Sequence, residues 1–353
     1  MASRMEPSKV KYQSVEDVER LDFYVPGGYH PDKHNNGRLV ALKISTAESA
    51  DRTPELEILS QLTKAETSLP GKAVVQSLLD SFRFSGPNGT HRCLVTDVER
   101  INLNEVKDYP YHRLLQLPVA RAIAAQLVLG VQFIHSQGIV HGDLHPGNIL
   151  LQLPPDMRNM ALTQLHAKTH EPAKELVVRE DGKPLDPGVP PEVVIPLWLG
   201  IDSDKVTLAE APIRIADLGE AFNPSETKQY TAHAPLLLAP PESRFAEEGN
   251  LNDALTFPSD IWTLACTVWE IFGYGPPFEA FFVSLDKVTL EQELRQWHGN
   301  THRDCDTRFS WCIREPREKH NLEFFTTEED AAFRAMMKLM LVLEPSRRAT
   351  IDE

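Results

Sequence analysis

The stretch His141-Gly-Asp-Leu-His-Pro-Gly-Asn148, running straight into the apolar Ile149-Leu-Leu151, constrains this chain more than any other segment. A tight polar loop ending in a short strand fixes where one aspartate and one asparagine stand relative to each other. Asp143, followed five residues later by Asn148, suits phosphoryl transfer. The aspartate would take the proton of an attacking hydroxyl while the asparagine holds a magnesium ion on the nucleotide phosphates. The plain alternative is a surface turn, since His, Asp, Pro, Gly and Asn are all ordinary turn residues. Partners elsewhere in the chain have to decide between the two.

Upstream, Gly37-Arg-Leu-Val-Ala-Leu-Lys-Ile44 is a strand-like apolar run broken by Lys43. A lysine so placed can reach nucleotide phosphates, although a lysine on the wet face of an edge strand is commonplace. A helix is predicted over Thr53 to Lys64, with Leu56, Leu59 and Leu62 on one face and Pro54 in its first turn. Glu55 is the preferred partner for Lys43 and Glu57 the rival; alternatively both acids simply favour the helix N-terminus. Residues 74–84 and 92–98 read as two strands around the turn Ser85-Gly-Pro-Asn-Gly89. From Val98 to Asn104 the chain would pass to a second lobe, its backbone groups meeting an adenine.

Downstream, the spacing of Val119, Ile123, Leu127, Val131 and Ile134 predicts a buried helix over Pro118 to His135, with Gly138 as its stop. Residues 151–212 hold nine of the 27 prolines in a mostly polar stretch, read as a partly disordered insertion in which Val193 to Ile201 packs locally. Ile213-Arg-Ile-Ala-Asp-Leu-Gly219 then offers a strand ending in Asp217, a second candidate metal ligand. Ala239-Pro-Pro-Glu242 precedes a Ser259-capped helix from Asp260 to Phe272, apolar nearly all round and so a buried pillar. Arg348 is the expected ion-pair partner of Glu242.

Lys plus Arg number 36 against 51 Asp plus Glu, a net charge of −15. That balance argues against nucleic acid or an anionic membrane as a direct partner. The four cysteines form no CxxC pair, as expected of free thiols in a reducing compartment. The first residues carry no apolar targeting segment, and the expectation is an intracellular, soluble protein, monomeric.

The ordered set Lys43, Glu55, Asp143, Asn148, Asp217, Glu242, Asp260 and Arg348 resembles the eukaryotic protein kinases. Within them it is most similar to the serine/arginine-rich protein kinases of divergent fungal type, on Gly27-Gly-Tyr-His-Pro31, Ile215-Ala-Asp-Leu-Gly219 and the spacer between loop and Asp217. The resemblance implies an α+β, protein-kinase-like two-lobed fold. It comprises a flexible arm (1–20), a small antiparallel β lobe (21–100) and a mostly helical large lobe (101–353) carrying the 151–212 insertion. It implies a protein serine/threonine kinase that uses ATP and Mg2+ on a protein substrate, Arg/Ser-rich in the nearest kin. Asp143 would be the base with His145 beside it, Lys43, Glu55 and Val98 would serve the nucleotide, and Asn148 and Asp217 the metal.

Three departures accompany it. No G-x-G-x-x-G precedes Lys43, where only Gly27, Gly28 and Gly37 are at hand, so the small lobe is expected to lack its first strands and phosphate-covering loop. Gly142 stands where most protein kinases have arginine, which removes the group that gathers a phosphorylated activation segment. His145 stands where the usual lysine would be, and a neutral imidazole neutralises a phosphoryl group less well than an ammonium. Two rival readings therefore stand beside an active kinase: a pseudokinase acting as a binding module, and a small-molecule phosphotransferase, whose loop wording is similar. The latter class lacks the Pro-Pro-Glu, Asp-Ile-Trp and Glu-Pro-x-x-Arg elements.

Overall fold

The alternation and β-branched content of residues 40–44 and 78–97 give three strands: β1 (Val40–Ile44), β2 (Leu78–Gly86) and β3 (Gly89–Asp97). In the computed structural model, which describes residues 12–13, 39–158, 160–196, 198–244, 254–278, 288, 292 and 305–353, they form an antiparallel sheet in the order β1-β3-β2. Gly86 pairs with Gly89 across the hairpin turn, and Lys43 lies opposite Leu94. The sheet has three strands among the described residues; Gly27, Gly28, Gly37 and the Tyr24–Pro31 motif lie outside them. The predicted helix starts slightly later than expected, as α1 (Glu55–Lys64), with Leu59 and Leu62 buried.

The chain divides into two compact units, the first drawing on the described parts of Met1–Leu56, Leu78–Val98 and Leu153–Leu199, the second on Glu57–Ser77, Glu99–Gln152 and Gly200–Glu353. This differs from lobes split near residue 100, because 57–77 join the second unit and 153–199 the first. The reason is packing: Leu153, Met157 and Leu165 form a buried cluster with Leu39, Val98, Met160 and Leu199 against it. Apolar side chains recruited this way order the insertion, which was expected to be partly disordered. Its described residues include α4 (Pro155–Arg158), α5 (Leu162–Thr169) and a hairpin of β6 (Lys174–Leu176) with β7 (Glu192–Val194).

The hairpin also holds part of the expected flexible arm. Tyr12 is buried with Val177 and Val193, donates its hydroxyl to Asp186 at 2.8 Å, and bridges antiparallel to Arg179. Arg179 in turn stacks over the Tyr12 ring and pairs with Asp181 and Asp186.

In the second unit a second antiparallel sheet has the order β4-β5-β8, from β4 (Glu99–Asn102), β5 (Ile149–Gln152) and β8 (Ile213–Ile215). Asn102 caps α2 (Leu103–Asp108) by accepting from Glu105 N–H at 2.9 Å. The long periodic helix is α3 (Leu117–Ser136), whose Ile123, Leu127, Val131 and Ile134 are fully buried, and Gly138 reverses the chain after it at φ +77°. α3 is long and apolar enough to cross a membrane by composition, and burial inside the unit accounts for that character. It packs on α6 (Phe257–Phe272), every residue of which from Ser259 onward is buried.

Such a pillar ends with backbone carbonyls that need donors. Lys107 supplies Gly273 O at 2.9 Å and also Glu270 O, while Arg317 reaches Phe272 O at 2.9 Å and Leu115 O at 3.1 Å. Burial pushes the Lys107 ammonium down to about 8. The C-terminal part comprises α7 (Cys305–Phe309), α8 (Glu315–Lys319) and α9 (Thr327–Met340), and Phe309, Phe325 and Phe333 pack there mostly edge-on or tilted against one another and against Phe272 and Trp269. The four cysteines are all buried.

The expected Glu242–Arg348 pair is present and bidentate, both N–O distances being 2.7 Å. Arg348 is fully enclosed, also donating to Val342 O, Leu343 O and Pro258 O and lying over Trp262. Breaking such a pair strands a buried cation. Glu242→Ala is expected to lower unfolding free energy by about 3 kcal/mol in urea denaturation, whereas Glu48→Ala, in an exposed pair with Arg52, changes it by roughly 0.5 kcal/mol or less.

Candidate active site

The loop after α3 is anchored before it reaches its functional residues. Val140 and Phe222 exchange two backbone hydrogen bonds of 2.8 and 3.0 Å. The next two amides, His141 N–H and Gly142 N–H, donate to the two carboxylate oxygens of Asp260 at 2.7 and 3.0 Å. His135 Nε2 completes the set at 2.9 Å from Asp260 Oδ2. Burial works to raise the Asp260 pKa, but the His135 hydrogen bond, the electrostatic pull of the His135 and His141 rings and the His141 amide outweigh it and hold the carboxyl below its usual range.

Gly142 itself lies at φ +77°, and a Cβ there would come within 2.6 Å of Glu220 O. The glycine found where kinases usually carry arginine is thus the residue this backbone requires.

Beyond it, His141 Nδ1 accepts from Asp143 N–H at 3.3 Å, which leaves Nε2 to donate to Ala216 O at 3.2 Å. Residues Pro146–Asn148 make one 3-10 turn, capped by His145, whose Nδ1 accepts from Gly147 N–H at 3.0 Å. Asn148 Nδ2 donates to Asp143 O at 2.8 Å and to Asp143 Oδ2 at 3.2 Å. One oxygen of the Asp143 carboxylate is therefore held, while the other, Oδ1, is buried without a hydrogen-bond partner among the described residues, 3.8 Å from His145 Nε2. A buried acceptor without a donor is costly unless something outside the chain supplies one.

Burial lowers the His145 pKa, as does the charge of His141, against opposing pulls from Asp143 and Asp217. With Nδ1 already an acceptor, the ring is neutral and its Nε2–H is directed near Asp143.

The strand β8 delivers Asp217. Ile215 pairs with Ile149, and Ala216 N–H donates to Asn148 O at 2.9 Å, so both candidate metal ligands are set by one sheet. Asp217 adopts φ +58°, a left-handed conformation that Asp tolerates better than most residues, and Gly219 N–H lies 3.4 Å from its Oδ1. Backbone strain of this kind concentrates at functional positions. Asn148 spends its amide N–H groups on Asp143, which leaves Oδ1 as the atom with which it would ligate a metal.

One neutral and one anionic oxygen donor suit Mg2+, which keeps most of its octahedral shell for water and substrate phosphates. Among the described residues no group of three or more His, Cys, Asp or Glu forms a dedicated cage. When bound, the ion would offset phosphate charge.

In the first unit, Lys43 Nζ lies 2.8 Å from Glu55 Oε1. Glu55 is buried, whereas the rival Glu57 is exposed. Because Lys43 is half-exposed, the pair contributes about 0–1 kcal/mol of stability, and its consequence is to aim the ammonium. Val98 is the single residue between β3 and β4, half-buried against the Leu153 cluster. Sequence reasoning placed Asp260 in the motif set but missed its grip on the loop, along with His135. A histidine at the buried end of a periodic helix, six residues before His141, was the available signal.

Residues 29–162 match the family described as "Protein kinase domain". The chain is 36% identical over 132 residues to a serine/threonine-protein kinase SRPK of Physarum polycephalum, covering 36% of this chain and 31% of that protein. It is 36% identical over 123 residues to protein kinase dsk1 of Schizosaccharomyces pombe, covering 34% of this chain and 23% of the relative. To human SRSF protein kinase 3 it is 28% identical over 168 residues, 38% of this chain and 30% of the relative. The matched stretch thus spans less than a third of each relative's length. Over these stretches the chain is similar to SRPK-like protein kinases.

Gly142→Ala is expected to cost about 1–3 kcal/mol, from the unfavourable φ and the clash with Glu220 O, read as a lower denaturation midpoint. The His145 ring, followed by NMR, should titrate below its ordinary 6.5. The folded chain then binds fewer protons than the unfolded one, so this residue's contribution is intact above pH 6.5 and is lost as pH falls through the folded pKa.

Proposed function

We propose that the chain is a serine/threonine kinase unit that transfers the γ-phosphoryl group of ATP to protein hydroxyls. The observation that carries the reading is the buried, partnerless Asp143 Oδ1, whose carboxylate is fixed by Asn148 in a loop pinned to Asp260. A substrate hydroxyl is the donor that this acceptor lacks, and losing its proton there makes the oxygen a nucleophile. Lys43, aimed by Glu55, would hold the nucleotide phosphates, with Val98 beside the adenine and Asn148 and Asp217 ligating Mg2+. His145, neutral, would donate Nε2–H toward the acceptor or the transferring group. Substrates are inferred to be Arg/Ser-rich: "SRSF protein kinase" is the name of one relative, and the net charge of −15 suits basic segments. Intracellular residence and a monomeric state belong to the same proposal.

A second reading, a nucleotide-binding module without catalysis, is favoured by one observation. His145 is neutral at the place where the family has a lysine, so charge neutralisation of the phosphoryl group is weaker. Transfer of labelled γ-phosphate to an Arg/Ser-rich peptide, with magnesium, separates the two. Asp143→Ala is expected to lower the rate by about 10²–10⁴ while leaving nucleotide affinity within a few-fold. Nucleotide binding with no transfer by the unmutated chain would establish the module reading instead.

A further inference from the structure

The second unit contains a cavity of about 400 Å3 at the C-terminal end of α3, with no residue of the 141–148 loop in its lining. Its wall is made by Leu69, Phe257, Pro258, Ile261, Pro345 and Ile351, together with the polar residues Gln132, His135, Ser136, Ser346, Arg348, Thr350 and Asp352, whose bonds decide what it can hold. The size is that of a ligand site.

Each polar side chain in the wall already has a partner. Gln132 Nε2 donates to Asp352 Oδ1 at 2.9 Å and Ser136 Oγ to Phe133 O at 2.7 Å. Ser346 Oγ donates to Glu344 and Thr350 Oγ1 to Glu353, at 3.0 and 3.2 Å. Arg348 is consumed by Glu242 and backbone carbonyls, and His135 Nε2 by Asp260. An apolar occupant leaves these bonds intact and gains burial against Leu69, Phe257 and Ile261. The Phe257 ring, edge-on to His135 at 5.0 Å between centroids, favours a flat ring system.

One wall residue connects the cavity to the loop. His135 lines it, and on its other side bonds to the same Asp260 carboxylate that receives the His141 and Gly142 amides.

We propose that this cavity is a second ligand site, for a compact uncharged aromatic molecule, and that its occupancy is felt at the catalytic loop through His135. The second clause rests on the kinase reading of that loop; the binding itself does not.

Indole serves as the probe, with the full chain in saturation-transfer NMR. Saturable binding is expected, and Ala349→Trp and Ser346→Trp, each checked for folding by circular dichroism, should weaken it at least tenfold by filling the space. No binding, or unchanged affinity in whichever variants fold, overturns the site. In the same titration the Gly142 backbone amide is expected to shift in proportion to occupancy, and saturation with that amide unmoved overturns the coupling. A chain that transfers no phosphate but shows both responses counts against the kinase reading alone.

Discussion

One carboxylate carries the geometry of the candidate site. Asp260 sits at the start of the buried pillar α6 and receives the amides of His141 and Gly142 together with the ring of His135. An aspartate taken wholly out of water keeps its charge only when donors replace the lost hydration. Here the donors are two backbone amides and an imidazole, so stabilising the charge and fixing the loop are the same event. Everything downstream inherits this: the turn through Gly142, the cap by His145, the hold of Asn148 on Asp143, and the contact from Asn148 O to the strand that ends in Asp217.

The same logic recurs at the other end of α6, with the sign reversed. Lys107 and Arg317 are buried against its last carbonyls, where the helix presents partial negative charge. Neither cation stands in an apolar run that advertises it, and neither belongs to a motif. Their positions follow only once the pillar exists and its end must be satisfied.

That contrast explains what could be read from the residues beforehand. Short motifs whose chemistry demands a fixed local spacing were legible: the octapeptide, the Asp217 strand end, and the Lys43–Glu55 and Glu242–Arg348 pairs. The apolar period of α3 fixed its bounds to within a residue at each end. The insertion was not legible, because Leu153, Met157 and Leu165 find partners as remote as Leu39, and low periodicity conceals a cluster assembled from distant pieces. Nor was the φ of Gly142, since a glycine in a turn is compatible with many conformations until Glu220 O is seen beside it.

The first unit is stitched from three stretches of chain, and Tyr12 bonds to Asp186 across a sequence separation of 174 residues. During synthesis the amino-terminal piece therefore cannot reach its final place until the insertion has emerged. At ribosomal speed that interval is on the order of ten to thirty seconds for a separation of 174 residues. Throughout it, Tyr12 lacks the hydrophobic cover of Val177 and Val193, which the insertion later supplies. The nascent chain therefore carries Tyr12 unpartnered by Asp186 until the insertion has been made, and the first unit closes only once residue 199 is out.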